Sequence, residues 1–198
     1  KVCTAENHLY LQQYKASIST IQFDELQTIE HTKCKPLSVA VVVVPFTRKI
    51  LGIEVSIMPA TGHLAKIAQK KYKFRPDLRI IGLQKLFKKI TPMLAKNAYI
   101  YSDKHPFYGP VIAHICPQAK HIQTKGDKAT IAGQGELKKG WKDPLFYINQ
   151  TLAMLRANIN RLIRRTWCTT KRIDRLRDHL AIYMSIHNSV LTNKKVAF

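Results

Sequence analysis

The chain has 198 residues, enough for one domain with a substantial core, and 45% of them are apolar, as in an ordinary globular protein. Lysine and arginine number 33 against 12 acidic residues, a formal charge of +21 that divides evenly between residues 1–100 (16 against 6) and 101–198 (17 against 6). A polyanion is the expected partner, and nucleic acid is the commonest one. An anionic membrane is the alternative, but no lipidation motif or long uncharged apolar run supports it.

The cysteines and glycines exclude several kinds of site. The four cysteines lie far apart without a C-x-x-C pair, which argues against a zinc site and favours reduced, intracellular thiols over a disulfide framework. No signal peptide is visible. The glycines form neither a G-K-[ST] loop nor a G-x-G-x-x-G fingerprint, so no nucleotide-binding loop is predicted.

The N-terminal half reads as a short helix followed by three strands. Residues 5–16 suit a helix, and 18–24 read as a strand that ends at Asp24. Residues 38–44 are a continuous apolar run typical of a strand buried on both faces. Alternation over 51–57 predicts a third strand, which completes an antiparallel meander. A basic stretch over 59–76 leaves room for a short helix.

The C-terminal half alternates helices with strands. Apolar residues at helical spacing predict a helix over 77–94, and further segments predict a strand over 97–102, a helix over 106–116, a short strand over 121–124, a loop over 125–142 and final helices over 144–165 and 171–187. This order predicts an α/β fold with a mixed five-stranded sheet flanked by helices, as in the RNase H-like fold.

In such a sheet the first and fourth strands lie side by side, which brings Asp24 and Asp103 to one end. Two adjacent carboxylates repel each other, and a hard divalent cation such as Mg²⁺ or Mn²⁺ relieves that repulsion. Two such ions about 4 Å apart can hold the attacking and leaving oxygens of a phosphodiester. The alternative is that both aspartates merely end strands, since Asp is common in turns.

The helix that begins near Leu145 carries polar residues beside its apolar stripe. Asn149 and Arg156 are seven residues apart, so they share a face that could look toward the carboxylates, or toward solvent. A basic cluster follows, which consists of Arg161, Arg164, Arg165, Lys171, Arg172, Arg175 and Arg177. We expect only Asp174 to offset these seven positive charges, and the remaining excess predicts a nearby phosphate backbone. Trp167 could stack on a base, but we expect it to cap the core.

Three motifs carry a family resemblance: FDEL at 23–26, SDKHPFY at 102–108 and INQTLAMLRANINRLIRRTWCTTK at 148–171. Together they resemble the DDE-type transposases of small bacterial insertion sequences, of the insertion-sequence-one type and its relatives. The last motif is the most specific, because an acid or Asn followed seven residues later by Arg and then by an R-L-x-R-x-T-x-C-like run is characteristic of that group. The resemblance covers most of the chain.

The resemblance implies a magnesium- or manganese-dependent transposase that cleaves and joins DNA strands. Asp24, Asp103 and Asn149 would bind the metal, Arg156 would complete the catalytic set, and the basic cluster would bind DNA. Many relatives have Glu where this chain has Asn149, and an Asn carbonyl oxygen can bind a metal but cannot act as a base. Asp143 is the nearest acidic substitute, although Pro144 after it suits a helix start better.

The resemblance also implies organisation and partners. Residues 1–17 would be a helical lead-in left from an upstream DNA-binding region, and residues 18–198 the RNase H-like catalytic domain with its basic C-terminal helices. The partners would be transposon ends and target DNA, with a homo-oligomer on the DNA and a cytoplasmic, nucleoid-associated location in a bacterium. Two alternatives stay open: an inactive transposase remnant that only binds DNA, and an RNase H-like nuclease.

Overall fold

A five-stranded mixed sheet lies at the centre of the protein in a computed structural model that describes residues 2–124, 143–163 and 167–193. The sheet contains β1 (Ile18–Glu30), β2 (Thr32–Val43), β3 (Ile50–Ile57), β4 (Leu94–Asp103) and β5 (Lys120–Thr124). The described helices are α1 (Val2–Gln12), α2 (Leu64–Tyr72), α3 (Arg79–Ile90), α4 (Tyr108–Ile115), α5 (Phe146–Asn158) and α6 (Ile173–Asn193).

The strand order across the sheet is β3-β2-β1-β4-β5. The first three strands form an antiparallel meander, whereas β4 lies parallel to β1 and β5 lies parallel to β4. The parallel pairings are possible because α3 and α4 provide the crossovers between strands. This confirms the predicted α/β fold with a mixed sheet flanked by helices, and the architecture is consistent with the RNase H-like fold.

The side-chain alternation of β1 gives the sheet two different faces. Phe23 points to the face that is packed by Phe87 of α3 and Tyr108 of α4, with ring centroids 5.0 and 4.8 Å away. Gln22 points to the opposite face, where its side chain contacts the start of α5. We call these the α4 face and the α5 face. The core fills both sides of β1 and β2, since most of their residues are buried.

The strand β1 is longer than the sequence pattern suggested. It was predicted to end at Asp24, but it continues to Glu30, because residues beyond Asp24 stay paired with β2, as in Leu26 with Val39 and Thr28 with Leu37. The parallel pairing with β4 ends earlier, and its last paired residues are Gln22 and Tyr101. Asp24 therefore lies in the middle of a strand, just past the end of the pairing between β1 and β4.

The helices follow the prediction with shifted ends. The first helix spans Val2–Gln12 instead of 5–16, and the basic stretch contains α2. The helix predicted over 144–165 stops at Asn158, because Ile159 is extended and a 3₁₀ turn at Asn160–Leu162 follows. The loop predicted over 125–142 lies outside the described residues.

The N-terminal helix packs against the C-terminal one. Asn7 donates its side-chain amide to the carbonyl oxygen of Ala181 at 2.8 Å, and Leu11 is buried in the common core. The helix α1 is thus part of the same packed body as the sheet. The origin of residues 1–17 in an upstream DNA-binding region stays a prediction.

Candidate active site

The pairing of β1 with β4 places Asp24 and Asp103 at equivalent positions on adjacent strands. Gln22 pairs with Tyr101, and each aspartate follows its strand's paired residue by two positions. Side chains alternate along a strand, so both aspartates point to the same face as Gln22, which is the α5 face. The sequence-based expectation that the two carboxylates come together at one end of the β1–β4 pairing agrees with this register.

Burial defines the electrostatics of Asp103. Its side chain is half-buried, and its Oδ1 atom is inaccessible to solvent without a hydrogen-bond partner among the described residues. Burial raises the pKa of Asp103, while the charge and backbone amide of His105 lower it. A buried carboxylate oxygen without a donor is costly unless a cation or proton compensates it. The Oδ1 atom of Asp103 is therefore a buried acceptor without a donor among the described residues, whereas the backbone amide of His105 interacts with the same carboxylate group.

Asp24 has a different environment. Its Oδ1 accepts a hydrogen bond from the backbone N–H of Glu25 at 2.7 Å, which fixes the orientation of the carboxylate. Both aspartates act on a common neighbour, since burial and then the charges of Glu25, Asp24 and Asp103 raise the pKa of the Tyr108 hydroxyl above its usual range. Three carboxylates thus lie within electrostatic range of one buried phenol.

Glu25 points to the α4 face, where its side chain is packed against Tyr108. Its Oε2 accepts a hydrogen bond from the Tyr108 hydroxyl at 3.2 Å, beneath the packed α4. Burial raises the pKa of Glu25, with an opposing effect from Tyr108. Sequence reasoning did not single out Glu25 or Tyr108, although both lie inside the FDEL and SDKHPFY motifs.

The start of α5 is fixed over β1 by one buried glutamine. Gln22 donates its side-chain amide to the carbonyl oxygen of Pro144 at 2.8 Å and accepts a hydrogen bond from the backbone N–H of Ile148 at 3.0 Å. Asn149 is the next residue of α5, and Asp24 is two residues beyond Gln22 on the same face. The sequence analysis did not single out Gln22 either, although a polar residue within an apolar strand could have indicated a buried hydrogen-bonding role.

Asn149 is held by Asp143. Its Nδ2 donates to Asp143 Oδ2 at 2.7 Å, while Asp143 Oδ1 accepts the backbone N–H of Leu145 at 2.9 Å. Asp143 therefore organises the start of α5, as its position before Pro144 predicted. Because the amide nitrogen is directed at Asp143, the Asn149 carbonyl oxygen is the atom that could bind a cation.

Arg156 lies farther along the same helix. At 1.5 Å per residue it is about 10 Å beyond Asn149 along the axis of α5. Its side chain is half-buried, and it forms no hydrogen bond or ion pair within the described residues. Neither contact nor register joins Arg156 to the two aspartates, so its catalytic role stays a prediction.

The basic cluster is more strongly neutralised than the sequence count suggested. Arg172 pairs with Asp174 at 2.6 Å, Arg175 pairs with Asp178 at 3.3 Å, and Arg177 pairs with Glu54 at 3.4 Å. The expectation that Asp174 alone offsets the cluster is therefore wrong, because Asp178 lies one helical turn from Arg175 and folding brings Glu54 from β3.

The other members of the cluster differ in their surroundings. Lys171 is exposed and donates to the Thr169 hydroxyl at 3.2 Å, and Arg161 is half-exposed. Arg164 and Arg165 lie outside the described residues. Trp167 is 78% exposed, so the expectation that it caps the core is wrong. Trp167 therefore contributes an aromatic ring to the surface.

Asp24, Asp103 and the side-chain amide of Asn149 are the oxygen donors that the sequence predicts for a metal. In the described ranges, no group of three or more His, Cys, Asp or Glu side chains is arranged to bind a metal ion. A cation bound by Asp24 and Asp103 would therefore need further oxygen ligands, such as the Asn149 carbonyl, water or substrate oxygens, and Mg²⁺ commonly retains water ligands.

Comparisons with family models, curated proteins and solved structures give no match for this chain. Among the described helices, none combines the length and apolar character that crossing a membrane requires.

Proposed function

We propose that this chain is the catalytic domain of a DNA transposase that cleaves and joins phosphodiester bonds with the help of Mg²⁺ or Mn²⁺. One observation carries the proposal: Asp24 and Asp103 occupy equivalent positions on adjacent parallel strands, and a buried oxygen of Asp103 lacks a hydrogen-bond partner in the described structure. Such an arrangement is costly for a purely structural site, and a cation between the carboxylates would offset that cost.

The donor set suits a hard cation. The two carboxylates and the Asn149 carbonyl oxygen are the ligand types that Mg²⁺ prefers, and the set contains neither thiolate nor imidazole. When bound, the metal would polarise the phosphodiester and stabilise the attacking and leaving oxygens. The fixed orientation of Asp24 and the anchoring of α5 by Gln22 would hold these donors in place before any ion arrives.

The remaining residues would position the DNA. Asn149 would orient the metal or the substrate without taking up a proton, because an amide is not a base at neutral pH. Arg156 on α5 would balance charge on the phosphate oxygens, as electrostatic stabilisation requires. Arg161 and Lys171 provide positive charge without an acidic partner among the described ion pairs, so they are better placed for flanking DNA than Arg172 or Arg175.

The proposal of a transposase, and not another metal-dependent nuclease, depends on the resemblance of residues 148–171 to the DDE-type transposases. It brings transposon ends and target DNA as partners, a homo-oligomer on DNA, no membrane association, and a bacterial cytoplasmic location near the nucleoid. The net charge of +21 supports a nucleic-acid partner on its own.

The test combines metal binding with strand cleavage. Calorimetry with Mg²⁺ and Mn²⁺ should detect binding to the wild type and little binding to Asp24→Asn or Asp103→Asn. Asp178→Asn, which removes an exposed acid of α6, is the matched control and should bind metal normally. Duplex DNA and an RNA–DNA hybrid are the substrates, and a preference for the hybrid would favour the RNase H-like nuclease. Cleavage that persists in Asp103→Asn would refute the metal site.

A DNA-binding protein without catalysis is the second candidate. It is favoured by the neutral Asn149 and by the lack of a three-residue metal-binding group of His, Cys, Asp or Glu within the described part of the chain. This candidate predicts normal DNA binding, no detectable Mg²⁺ or Mn²⁺ binding, and identical properties of the wild type and Asp103→Asn.

A further inference from the structure

Within the described residues, the parallel half of the sheet is packed on one face and carries exposed side chains on the other. Ala98, Ile100 and Ser102 of β4 point to the α4 face and are buried. The alternate residues point to the α5 face, where Tyr99 is 39% exposed and Tyr101 is partly exposed. The α5 helix packs mainly on β1 and β2.

The open surface continues onto the edge strand. Tyr99 pairs with Lys120 and Tyr101 pairs with Ile122, so these four side chains share one face, which we call the tyrosine platform. Ile122 is 36% exposed and Lys120 is exposed. Parallel strands are normally covered on both faces, so aromatic and apolar side chains exposed on this face of the described sheet indicate a surface that a partner could cover.

The arrangement of the rings suits flat, π-bonded ligands. The two tyrosine rings are nearly parallel, with an interplanar angle of 28° and centroids 6.5 Å apart. The ammonium group of Lys120 lies 5.5 Å from the centroid of the Tyr99 ring, where it adds positive charge beside the aromatic surface. Sheet faces with aromatic side chains and nearby cations bind unpaired nucleic-acid bases, which stack on the rings while the phosphates contact the cation.

The platform is continuous with the candidate active site. Asp103 follows Tyr101 by two residues on the same strand and the same face, and Thr124 pairs with it on β5. At 3.3 Å per residue, Tyr99 is about 13 Å from Asp103 along the strand, which is the reach of about two to four nucleotides. A strand whose phosphate lies at Asp24 and Asp103 could therefore place its neighbouring bases on the tyrosines.

We propose that the tyrosine platform binds unpaired bases of a single-stranded nucleic acid and guides that strand into the carboxylate site. This inference deepens the proposed function, because it names a single-stranded segment next to the reacting phosphodiester as part of the substrate. A partner protein or a second copy of the chain fits less well, since a chain of charge +21 attracts phosphates and repels its own copies.

Binding is measured without metal, so that its outcome does not depend on catalysis. Fluorescence anisotropy in EDTA would follow labelled oligonucleotides of about 12 nucleotides, a size within the range of one such site, as oligo-dT, oligo-rU and a blunt DNA duplex. The double variant Tyr99→Ala/Tyr101→Ala should lose about tenfold or more in affinity for the single strands, because each stacked base contributes about fivefold or more. Its affinity for the duplex should be unchanged.

Two further variants separate stacking from other effects. Tyr99→Phe/Tyr101→Phe keeps the rings and should bind single strands as the wild type does. Phe74→Ala removes a more exposed aromatic ring, 85% exposed against 39% for Tyr99, from the segment between α2 and α3, and should have no effect. Circular dichroism and thermal melting of each variant establish that the fold is kept.

Several results would overturn the inference. Equal affinity of the wild type and the alanine variant for single strands would exclude a stacking platform, whether or not the protein cleaves DNA. If the alanine variant sediments differently from the wild type but binds oligonucleotides equally well, the surface binds a second copy of the chain.

One combination of results separates the platform from the catalytic proposal. If the alanine variant selectively loses single-strand binding and the protein binds no Mg²⁺, the platform is supported and only the catalytic proposal is refuted. Comparison of oligo-dT with oligo-rU identifies the preferred nucleic acid.

Discussion

Replacement of Gly82 by alanine tests how closely α3 packs against the sheet. An ideal Cβ atom at Gly82 would lie 1.9 Å from Ser56 Oγ, 3.2 Å from Ser56 Cβ and 3.6 Å from Glu54 Cγ. Carbon atoms in contact are normally about 3.5–4.0 Å apart, so the added methyl group forces either the helix or Ser56 to move. Both Glu54 and Ser56 are buried in β3, which limits the room for such a movement.

The magnitude follows from two opposing effects. Overpacking of a close contact costs about 1–3 kcal/mol, whereas alanine is favoured over glycine within a helix by about 1 kcal/mol. We expect a net loss of about 1 kcal/mol in the free energy of unfolding, which lowers the Tm by about 2–4 °C for a protein of this size. Urea denaturation with a fixed m-value gives the difference directly.

A double-mutant cycle isolates the contact. Ser56→Ala removes the Oγ atom, so Gly82→Ala should become neutral or stabilising in that background. Affinity for Mg²⁺ should stay at the wild-type level, because Gly82 packs on the α4 face, opposite the two aspartates. A clear stabilisation by Gly82→Ala in the wild-type background, as expected for an exposed helical glycine, would refute the close packing of α3 on β3.

Three further predictions concern the site and its support. Burial raises the folded-state pKa of Glu25, so its contribution to stability is greatest below about pH 4 and is lost as pH rises through the raised value. Glu25→Gln should therefore be more stable than the wild type at pH 7, and the difference in urea midpoint should shrink toward pH 4. A difference in midpoint that does not change with pH would contradict this prediction. Gln22→Leu removes both hydrogen bonds to the start of α5 and should cost about 1–3 kcal/mol in urea denaturation while weakening Mg²⁺ binding, whereas an unchanged midpoint would show that α5 is held by apolar contacts alone. Asn149→Asp places two carboxylates at hydrogen-bond distance and should lower the Tm, and the addition of Asp143→Asn should restore it by reversing the hydrogen bond; equal Tm values for the three proteins would exclude that bond.

Much of the fold could be predicted because its signals are local. The apolar run before Pro45 predicted a buried β2, and alternation over 51–57 predicted β3 almost to the residue. The true end of β1 was missed because LQTIE after Asp24 carries no strong signal of its own. Its extended conformation depends on hydrogen bonds to β2, and the partner strand is a property of the tertiary structure.

The surroundings of the site residues could be predicted only in part. Strand order predicts that Asp24 and Asp103 come together, and the parallel register, which ends at Gln22 and Tyr101, is compatible with that prediction. The ion pair of Arg177 with Glu54 joins residues 123 positions apart, so no count along the sequence could detect it. Trp167 is large and apolar, which predicts burial, yet the described surroundings leave most of it exposed.

By itself, the sequence determined the excess of positive charge, the alternation of strands and helices, and the polar residues that interrupt apolar strands. These properties depend on composition and on periods of two and 3.6 residues, which need no partner to be recognised. The tertiary structure alone decided that α5 is fixed by Gln22, that Asp103 has a buried oxygen without a donor among the described residues, and that Tyr99 and Tyr101 lie at least partly exposed on the α5 face. Each of these depends on which distant segments share a face, and only the folded chain brings those segments together.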